Sequence, residues 1–391
     1  MKQKFIFSLL ICSILLTAQD QRQKTQPEHY SYPLENYYQP LHVRVNIVLL
    51  ERADGSGNFN LKNKEERDLL NDYLDNINKS FTTLVKPPVG DMSKCGNVTE
   101  FLPDTKIRLD FNIIEVRNSY YWNYLNSGSI PEKKQFAGFS PTQGWYIKPL
   151  DDSISALKIP RAINAYFTTN GDRFDDLYKK KGEGYDLAGN NAGEFPDQVK
   201  LTRSSQVHIP NVYLSYLMQR YQSPKNYNTT WEKTKGWWLG GGGAAHEFGH
   251  DFGLSHSSEY YRTNECTYSL MSQKHTHQRN WLPPNEIRRM HQNLTQTNLM
   301  QFVTPESAYG AVWKLIQDTE WRKPRRFYHN FELAPGVTLT IHNKVILPPQ
   351  SYVKLSKNSK IIFKEKGELV DAYGKPYKNF EKHRTAKIIH E

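Results

Sequence analysis

Residues 244–257 read AAHEFGHDFGLSHS, and the expectations for this chain start from that stretch. His246 and His250 are four residues apart, so a helix places both imidazoles on one face, one turn apart. Gly253 tolerates the left-handed conformation that ends a helix, which allows the chain to turn and bring His256 towards the same point. The spacing therefore predicts that three histidines bind one metal ion.

Glu247 follows the first histidine and lies about 100 degrees further around the helix axis, where it does not compete for the metal. Three histidines leave a fourth coordination position open, which is typical of a catalytic zinc site and not of a structural one. A glutamate beside that position can take a proton from water. We therefore predict Zn²⁺ as the cofactor and Glu247 as the general base. The alternative is an ordinary helix with surface histidines.

The segment resembles the zinc signature of the metzincin metallopeptidases, and its flanking residues are most similar to those of matrixins. In that family a turn containing methionine lies beneath the metal, and residues 269–272, Ser-Leu-Met-Ser, are similar to it. The resemblance implies that Met271 forms the hydrophobic floor of the site, whereas the alternative is an isolated core methionine. His275 and His277 follow this turn and either line the cleft or lie in an exposed loop.

The same resemblance implies an α+β fold: a zincin-like catalytic domain over residues 41–304, with a mixed twisted sheet, an active-site helix and a C-terminal helix. A small β-rich module follows over 305–391. The implied function is a secreted zinc-dependent endopeptidase that hydrolyses peptide bonds in protein or peptide substrates. Two alternatives stay open, namely a zinc-binding surface or adhesive module without turnover, and a zinc hydrolase that acts on a non-protein substrate.

Hydrophobic spacing predicts the elements around the site. Residues 41–50 alternate as a half-buried strand does, and 107–113 and 162–168 give two more strands. Residues 63–84 have helical spacing with a capping pattern at their start, and a second helix follows the prolines at 283–284. Residues 207–216 contain a proline, which favours a strand at the sheet edge beside a substrate groove.

Two long polar stretches, residues 118–151 and 172–198, are predicted surface loops. The second contains oxygen-bearing side chains that make a Ca²⁺ site possible, although their spacing fits no calcium loop that supports it. These candidates are Asp186, Asn190, Asn191 and Glu194.

From residue 331 onward, short alternating runs separated by glycine, proline and asparagine predict an antiparallel or solenoid-like β module. The net charge of the chain is +11, and residues 305–391 hold 16 lysines and arginines against 9 acidic residues. This excess indicates either a solvated basic face or a contact with an anionic glycan or surface. No nucleic-acid motif accompanies it, so we expect no nucleic-acid partner.

The first residues predict export. Lys2 and Lys4 precede an apolar run over 5–16 and small residues near 18, which is typical of a signal peptide over 1–18 followed by a leader over 19–40. Secretion is the expectation, and a lipid anchor on Cys12 is the alternative. No other long apolar run suggests an integral membrane span. Cys95 and Cys266 either form a disulfide or remain two separate thiols.

Overall fold

The computed structural model describes 39–95, 98–122, 150, 153–154, 156–157, 159–168, 192–193, 206–210, 212–213, 216–217, 241–257, 266–272, 279–307 and 312–391. Several predictions lie wholly or mostly outside these residues. They are the signal peptide, the leader, the two long loops with their calcium candidates, Cys12, His275 and His277. Among the described residues, none of the helices combines the length and the apolar character needed to span a bilayer.

The first sheet has five strands in the order β2-β1-β3-β5-β4. They are β1 (Leu41–Glu51), β2 (Ile107–Arg117), β3 (Ile163–Thr168), β4 (Ala192–Gly193) and β5 (Gln206–Pro210). Strands β2, β1, β3 and β5 all pair in parallel, whereas the two residues of β4 pair antiparallel with β5. The three strands predicted at 41–50, 107–113 and 162–168 are confirmed.

Two features of this sheet differ from the predictions. Every side chain of β1 from Val45 onward is buried, because β1 is a central parallel strand, and such strands are covered on both faces. The segment predicted to form the sheet edge also has a neighbour on each side, since β5 lies between β3 and β4. Its proline, Pro210, is the last residue of β5, which is how the strand accommodates it.

All three predicted helices are confirmed. Helix α1 (Lys64–Thr82) begins after Asn63, whose side chain accepts a hydrogen bond from the backbone N–H of Glu65 at 3.0 Å. A second helix, α2, is Gly242–Asp251, and it lies against α1. Helix α3 (Pro284–Gln296) begins with a proline at its first position, where the missing N–H has no intrahelical acceptor in any case.

The C-terminal region is a parallel β-solenoid with three faces. Each strand pairs in parallel with its counterpart one coil further on, so that Leu339 lies opposite Ile361, and Ile361 lies opposite Ile388. The solenoid-like alternative is thus confirmed and the antiparallel one is wrong. The eleven strands are β6 (Val312–Leu315), β7 (Thr319–Trp321), β8 (Arg325–Arg326), β9 (Asn330–Leu333), β10 (Thr338–Ile341), β11 (Lys344–Leu347), β12 (Val353–Leu355), β13 (Lys360–Phe363), β14 (Glu368–Asp371), β15 (Phe380–Lys382) and β16 (Lys387–His390).

The predicted fold class is therefore wrong. We expected an α+β, zincin-like metzincin domain with a mixed sheet and a small β-rich appendage. The described residues instead form a mostly β structure in which the strands pair in parallel, except for the two residues of β4, with three α-helices of ten or more residues. The physical reason is that alternation of apolar and polar residues marks which face of a strand is buried but carries no information on the direction of its neighbour.

Arg326 ties the solenoid to the residues that precede it. Its guanidinium donates hydrogen bonds to the carbonyl oxygens of Met300, Val303 and Thr304 at 2.9–3.1 Å, and its side chain is buried. The neighbouring Tyr328 donates its hydroxyl to the carbonyl of Leu294 in α3 at 2.9 Å. The first coil of the solenoid is thus held to α3 and to the chain that leaves it.

Candidate metal centre

Helix α2 carries the first two histidines and is almost completely buried. Its end has the hydrogen bonds of a glycine-terminated helix: the N–H of Gly253 donates to the carbonyl of His250 at 2.8 Å, and that of Leu254 to the carbonyl of Gly249 at 2.9 Å. Gly253 has a φ of 85°, a conformation that favours glycine. This reversal directs the chain so that His256 returns to the helix, as the sequence predicted.

The three imidazoles converge on one point. The Nε2 atom of His250 is 3.1 Å from the Nε2 atoms of both His246 and His256, and the three candidate ligand atoms lie within 4.8 Å of one another. Two nitrogen ligands of a tetrahedral metal, each about 2.05 Å from the ion, are separated by about 3.3 Å. The two separations that involve His250 are close to this value, and the triad could hold a metal ion.

Backbone carbonyls fix the rings of two of these histidines. The Nδ1 atom of His246 lies 2.7 Å from the carbonyl oxygen of Leu270, and the Nδ1 atom of His250 lies 2.8 Å from that of Leu254. A carbonyl oxygen can only accept a hydrogen bond, so each Nδ1 must carry the proton. Each Nε2 then keeps its lone pair for a metal, the usual arrangement of metal-binding histidines.

The charge state of His246 and His250 suits metal binding as well. Burial, followed by the electrostatic effects of His250 and Arg279, lowers the pKa of His246 well below its usual value. Burial likewise lowers the pKa of His250 to about 4, although its bond to Leu254 opposes the shift. Both imidazoles are therefore neutral at pH 7 and do not have to lose a proton before they bind a cation.

Met271 lies directly against the metal-binding helix. It is completely buried, and a Cβ atom added at Gly249 would lie only 2.4 Å from its sulfur. Its carbonyl accepts a hydrogen bond from the N–H of Ser257, the residue after the third histidine, at 2.9 Å. The methionine thus packs against Gly249 of α2, where the absence of a side chain leaves the space it needs. Its role as the floor of the metal site stays a prediction.

A disulfide bond between Cys95 and Cys266 anchors the segment that contains Met271. Of the two alternatives that the sequence left open, the paired one is correct. The disulfide packs against Trp281, whose carbonyl accepts a hydrogen bond from the N–H of Leu270 at 2.8 Å. Because the carbonyl of Leu270 orients His246, this bond and the disulfide together stabilise the segment on which the ring depends.

Glu247 lies next to His246 on the buried surface of α2 and is 9% exposed. It is not a member of the group of three histidines that could hold a metal ion, and its role as the general base stays a prediction. Sequence reasoning missed three contributors to the site. Two are the carbonyls of Leu254 and Leu270, for which a side-chain pattern offers no signal, and the third is the buried Arg279, whose charge acts on His246.

No protein-family model matches this sequence, and no curated protein matches it. The structure independently shows that His246, His250 and His256 form a group able to hold a metal ion. The resemblance to metzincins therefore rests on residues 244–257 and 269–272 alone.

Proposed function

We propose that this protein is a secreted zinc-dependent endopeptidase of the metzincin type, with its metal held by His246, His250 and His256. The observation that carries the proposal is the convergence of three imidazole nitrogens, each presented by its Nε2 atom, within 4.8 Å. A structural zinc site is closed by four protein ligands, whereas three histidines leave a position for water and substrate. The site therefore supports catalysis better than a structural role.

Zinc is the metal that this ligand set favours. The group contains nitrogen ligands only, and neutral imidazole suits zinc, copper, iron and nickel better than it suits calcium or magnesium. Catalytic zinc sites built from three histidines are well known, and the two nitrogen separations of 3.1 Å from His250 are close to the tetrahedral value. We accordingly assign Zn²⁺ to the site.

Zinc bound there would lower the pKa of a coordinated water and polarise the scissile carbonyl. Glu247 then acts as the general base: its carboxylate takes the proton from water as the oxygen attacks the carbonyl carbon. The same carboxyl group gives that proton to the leaving nitrogen as the C–N bond breaks, so the glutamate ends the cycle ionised. No covalent bond forms between Glu247 and the substrate.

Two further observations support the substrate class and the compartment. The methionine that packs beneath α2 and the segment 244–257 are both similar to those of metzincin peptidases, which favours a peptide substrate. The disulfide between Cys95 and Cys266 favours an oxidising compartment and hence an exported protein.

The test is proteolysis of unfolded casein by purified residues 19–391, with the zinc content measured on the same samples. Glu247→Gln keeps the size of the side chain and removes the base. We expect it to retain about one zinc per chain and to lose at least about 100-fold in activity, the usual contribution of a general base. The matched control is Glu381→Gln on the exposed face of β15, which we expect to leave both quantities unchanged.

Each alternative function predicts a different outcome. A wild-type protein that binds zinc but cleaves neither casein nor a panel of unrelated polypeptides would favour a binding module or a hydrolase of a non-protein substrate. A variant at Glu247 that is as active as the wild type would contradict the assigned general base. A wild-type protein that binds no zinc would overturn the proposal.

A further inference from the structure

Two groups of exposed charges on the solenoid differ in their arrangement: the signs alternate in one group, and all charges are positive in the other. On the face formed by β6, β9, β12 and β15, four charged residues lie in register and alternate in sign. The carboxylate of Glu332 is 3.8 Å from the amine of Lys314 and 3.6 Å from that of Lys354, and Glu381 lies on the far side of Lys354. Neighbouring coils thus neutralise each other along this row.

In the last two coils the adjacent corner, where the chain passes to the next face, has only positive charges over residues 356–360 and 383–387. Lys360 lies opposite Lys387 in the parallel register of β13 and β16. The turns before these strands have equal length and stack pairwise, as the hydrogen bond from the N–H of Asn358 to the hydroxyl of Thr385 at 3.0 Å shows, so Lys357 lies over Arg384. We call these four residues, Lys357, Lys360, Arg384 and Lys387, the basic corner.

All four side chains of the basic corner are exposed, and among the described residues none of them lies within ion-pair distance of an acidic group. Parallel strands are about 4.8 Å apart, so two like charges face each other twice at this corner. Like charges directly opposite one another destabilise a sheet. The neighbouring row shows that this solenoid accommodates alternating charges, so the basic corner is a local departure that an external anion would compensate.

The residues between the cations indicate the class of anion. The two stacked segments, residues 354–360 and 381–387, read KLSKNSK and EKHRTAK and contain no phenylalanine, tyrosine or tryptophan. Proteins that bind single-stranded nucleic acid combine basic grooves with aromatic stacking platforms, and interfacial membrane binding needs exposed apolar side chains beside the charges. The exposed Asn358 and Thr385 instead offer an amide and a hydroxyl between the cations, groups that suit the hydroxyls of a sugar chain.

We propose that the basic corner binds an acidic polysaccharide, whose sulfate or carboxylate groups pair with Lys357, Lys360, Arg384 and Lys387. Arginine and lysine both form charge-assisted hydrogen bonds with such oxygens. Each of the two coils contributes two cations to the basic corner. Successive anionic groups of one extended polysaccharide can therefore pair with the cations of successive coils. Binding at this surface does not depend on the metal centre.

The test uses residues 19–391 in the Glu247→Gln background, so that turnover is removed, with immobilised heparin and polygalacturonate as sulfated and carboxylated probes. We compare a variant in which all four residues of the basic corner are replaced by Gln with a matched control, K344Q/K366Q/K375Q/K378Q. The control removes the same charge from exposed lysines elsewhere in the solenoid. Circular dichroism checks the fold, and K360Q/K387Q against K375Q/K378Q gives the same comparison if the fourfold variant does not fold.

At 0.15 M salt we expect at least one of the two polysaccharides to bind, and the basic-corner variant to lose about 10-fold or more in affinity, with a shallower dependence on salt. The control should stay within about 2-fold, since long-range charge alone is equal in the two variants. Equal losses in both variants, or binding of neither polysaccharide, would overturn the proposal. So would tighter binding of single-stranded poly(dT) or of phosphatidylserine vesicles than of either polysaccharide.

Discussion

The metal centre and the solenoid use their residues in opposite ways. At the metal centre each part occurs once: one glycine ends the helix, one methionine packs beneath it, and single carbonyls orient His246 and His250. In the solenoid every inward position has counterparts one coil away, as Leu339, Ile361 and Ile388 do. No other residue can therefore replace one that is lost at the metal centre. In the solenoid, neighbouring coils contain equivalent residues that continue to stabilise the core when one is lost.

The largest effect should follow from His250→Ala, which removes a ligand. Even a change to a group that only orients a ligand lowers metal affinity by about 10-fold to 100-fold, so loss of the ligand itself should exceed about 100-fold. Zinc titration against a chelator of known affinity measures this. His383→Ala, at an exposed turn of the solenoid, is the control and should leave zinc affinity unchanged. Equal zinc affinity in the two variants would place the metal elsewhere.

The next effect should come from Arg326→Ala, which cuts the connection between the two regions. The substitution removes the hydrogen-bond donor of three backbone carbonyl oxygens. Each buried polar group that loses its partner lowers the free energy of unfolding by about 1 kcal/mol or more. We expect a loss of about 3 kcal/mol in the free energy of unfolding, measured with urea. The exposed Arg322→Ala should cost less than about 0.5 kcal/mol. A similar cost for both variants would mean that this junction contributes nothing.

Glu286, in the first turn of α3, should make stability depend on pH. Burial raises the pKa of its carboxyl group to about 8 against the opposing charge of Arg289, so the folded protein holds a proton that the unfolded chain releases near pH 4.5. The stability contribution is therefore complete below about pH 4.5 and is lost as pH rises towards 8, by about 1.4 kcal/mol per unit.

Glu286→Gln removes this titration and keeps the shape of the side chain. We expect the variant to gain about 3 kcal/mol relative to the wild type between pH 5 and pH 8, measured by urea unfolding across that range. Glu381→Gln is the exposed control and should follow the wild-type profile. The assignment would be contradicted if the difference in unfolding free energy between Glu286→Gln and the wild type stayed constant from pH 5 to pH 8.

The smallest effect should come from Glu332→Gln within the alternating row of the solenoid. Two lysines lie 3.6–3.8 Å from this carboxylate, but both are largely solvent-exposed. We expect a loss of about 0.5–1 kcal/mol in the free energy of unfolding at low salt and almost none at 1 M salt. A cost that persists at high salt would show that the row stabilises the solenoid by packing and not by charge.

The site was more predictable than the fold. The spacing of His246, His250 and His256 follows from the geometry of one helix and one turn, so local sequence contains the necessary information. Helices α1 and α3 were predicted for the same reason, through a cap at Asn63 and a proline at their respective starts.

Contacts that join distant parts of the chain could not be predicted. Strand direction decided the fold class, and alternation in β1 or in the solenoid strands does not encode it. The partner of Cys95 is 171 residues away, and sequence gave no distance between the two cysteines. The carbonyls of Leu254 and Leu270 are backbone groups that every residue possesses, so no residue type reveals them.

The central claim is that the three histidines hold a zinc ion with an open position. X-ray absorption at the zinc edge of purified residues 19–391, with the metal content of the same sample, tests it most directly. The account predicts about one zinc per chain, with three nitrogen ligands and one oxygen ligand at about 2.0–2.1 Å. A sample without zinc, or a zinc ion with sulfur ligands or four protein nitrogens, would contradict it.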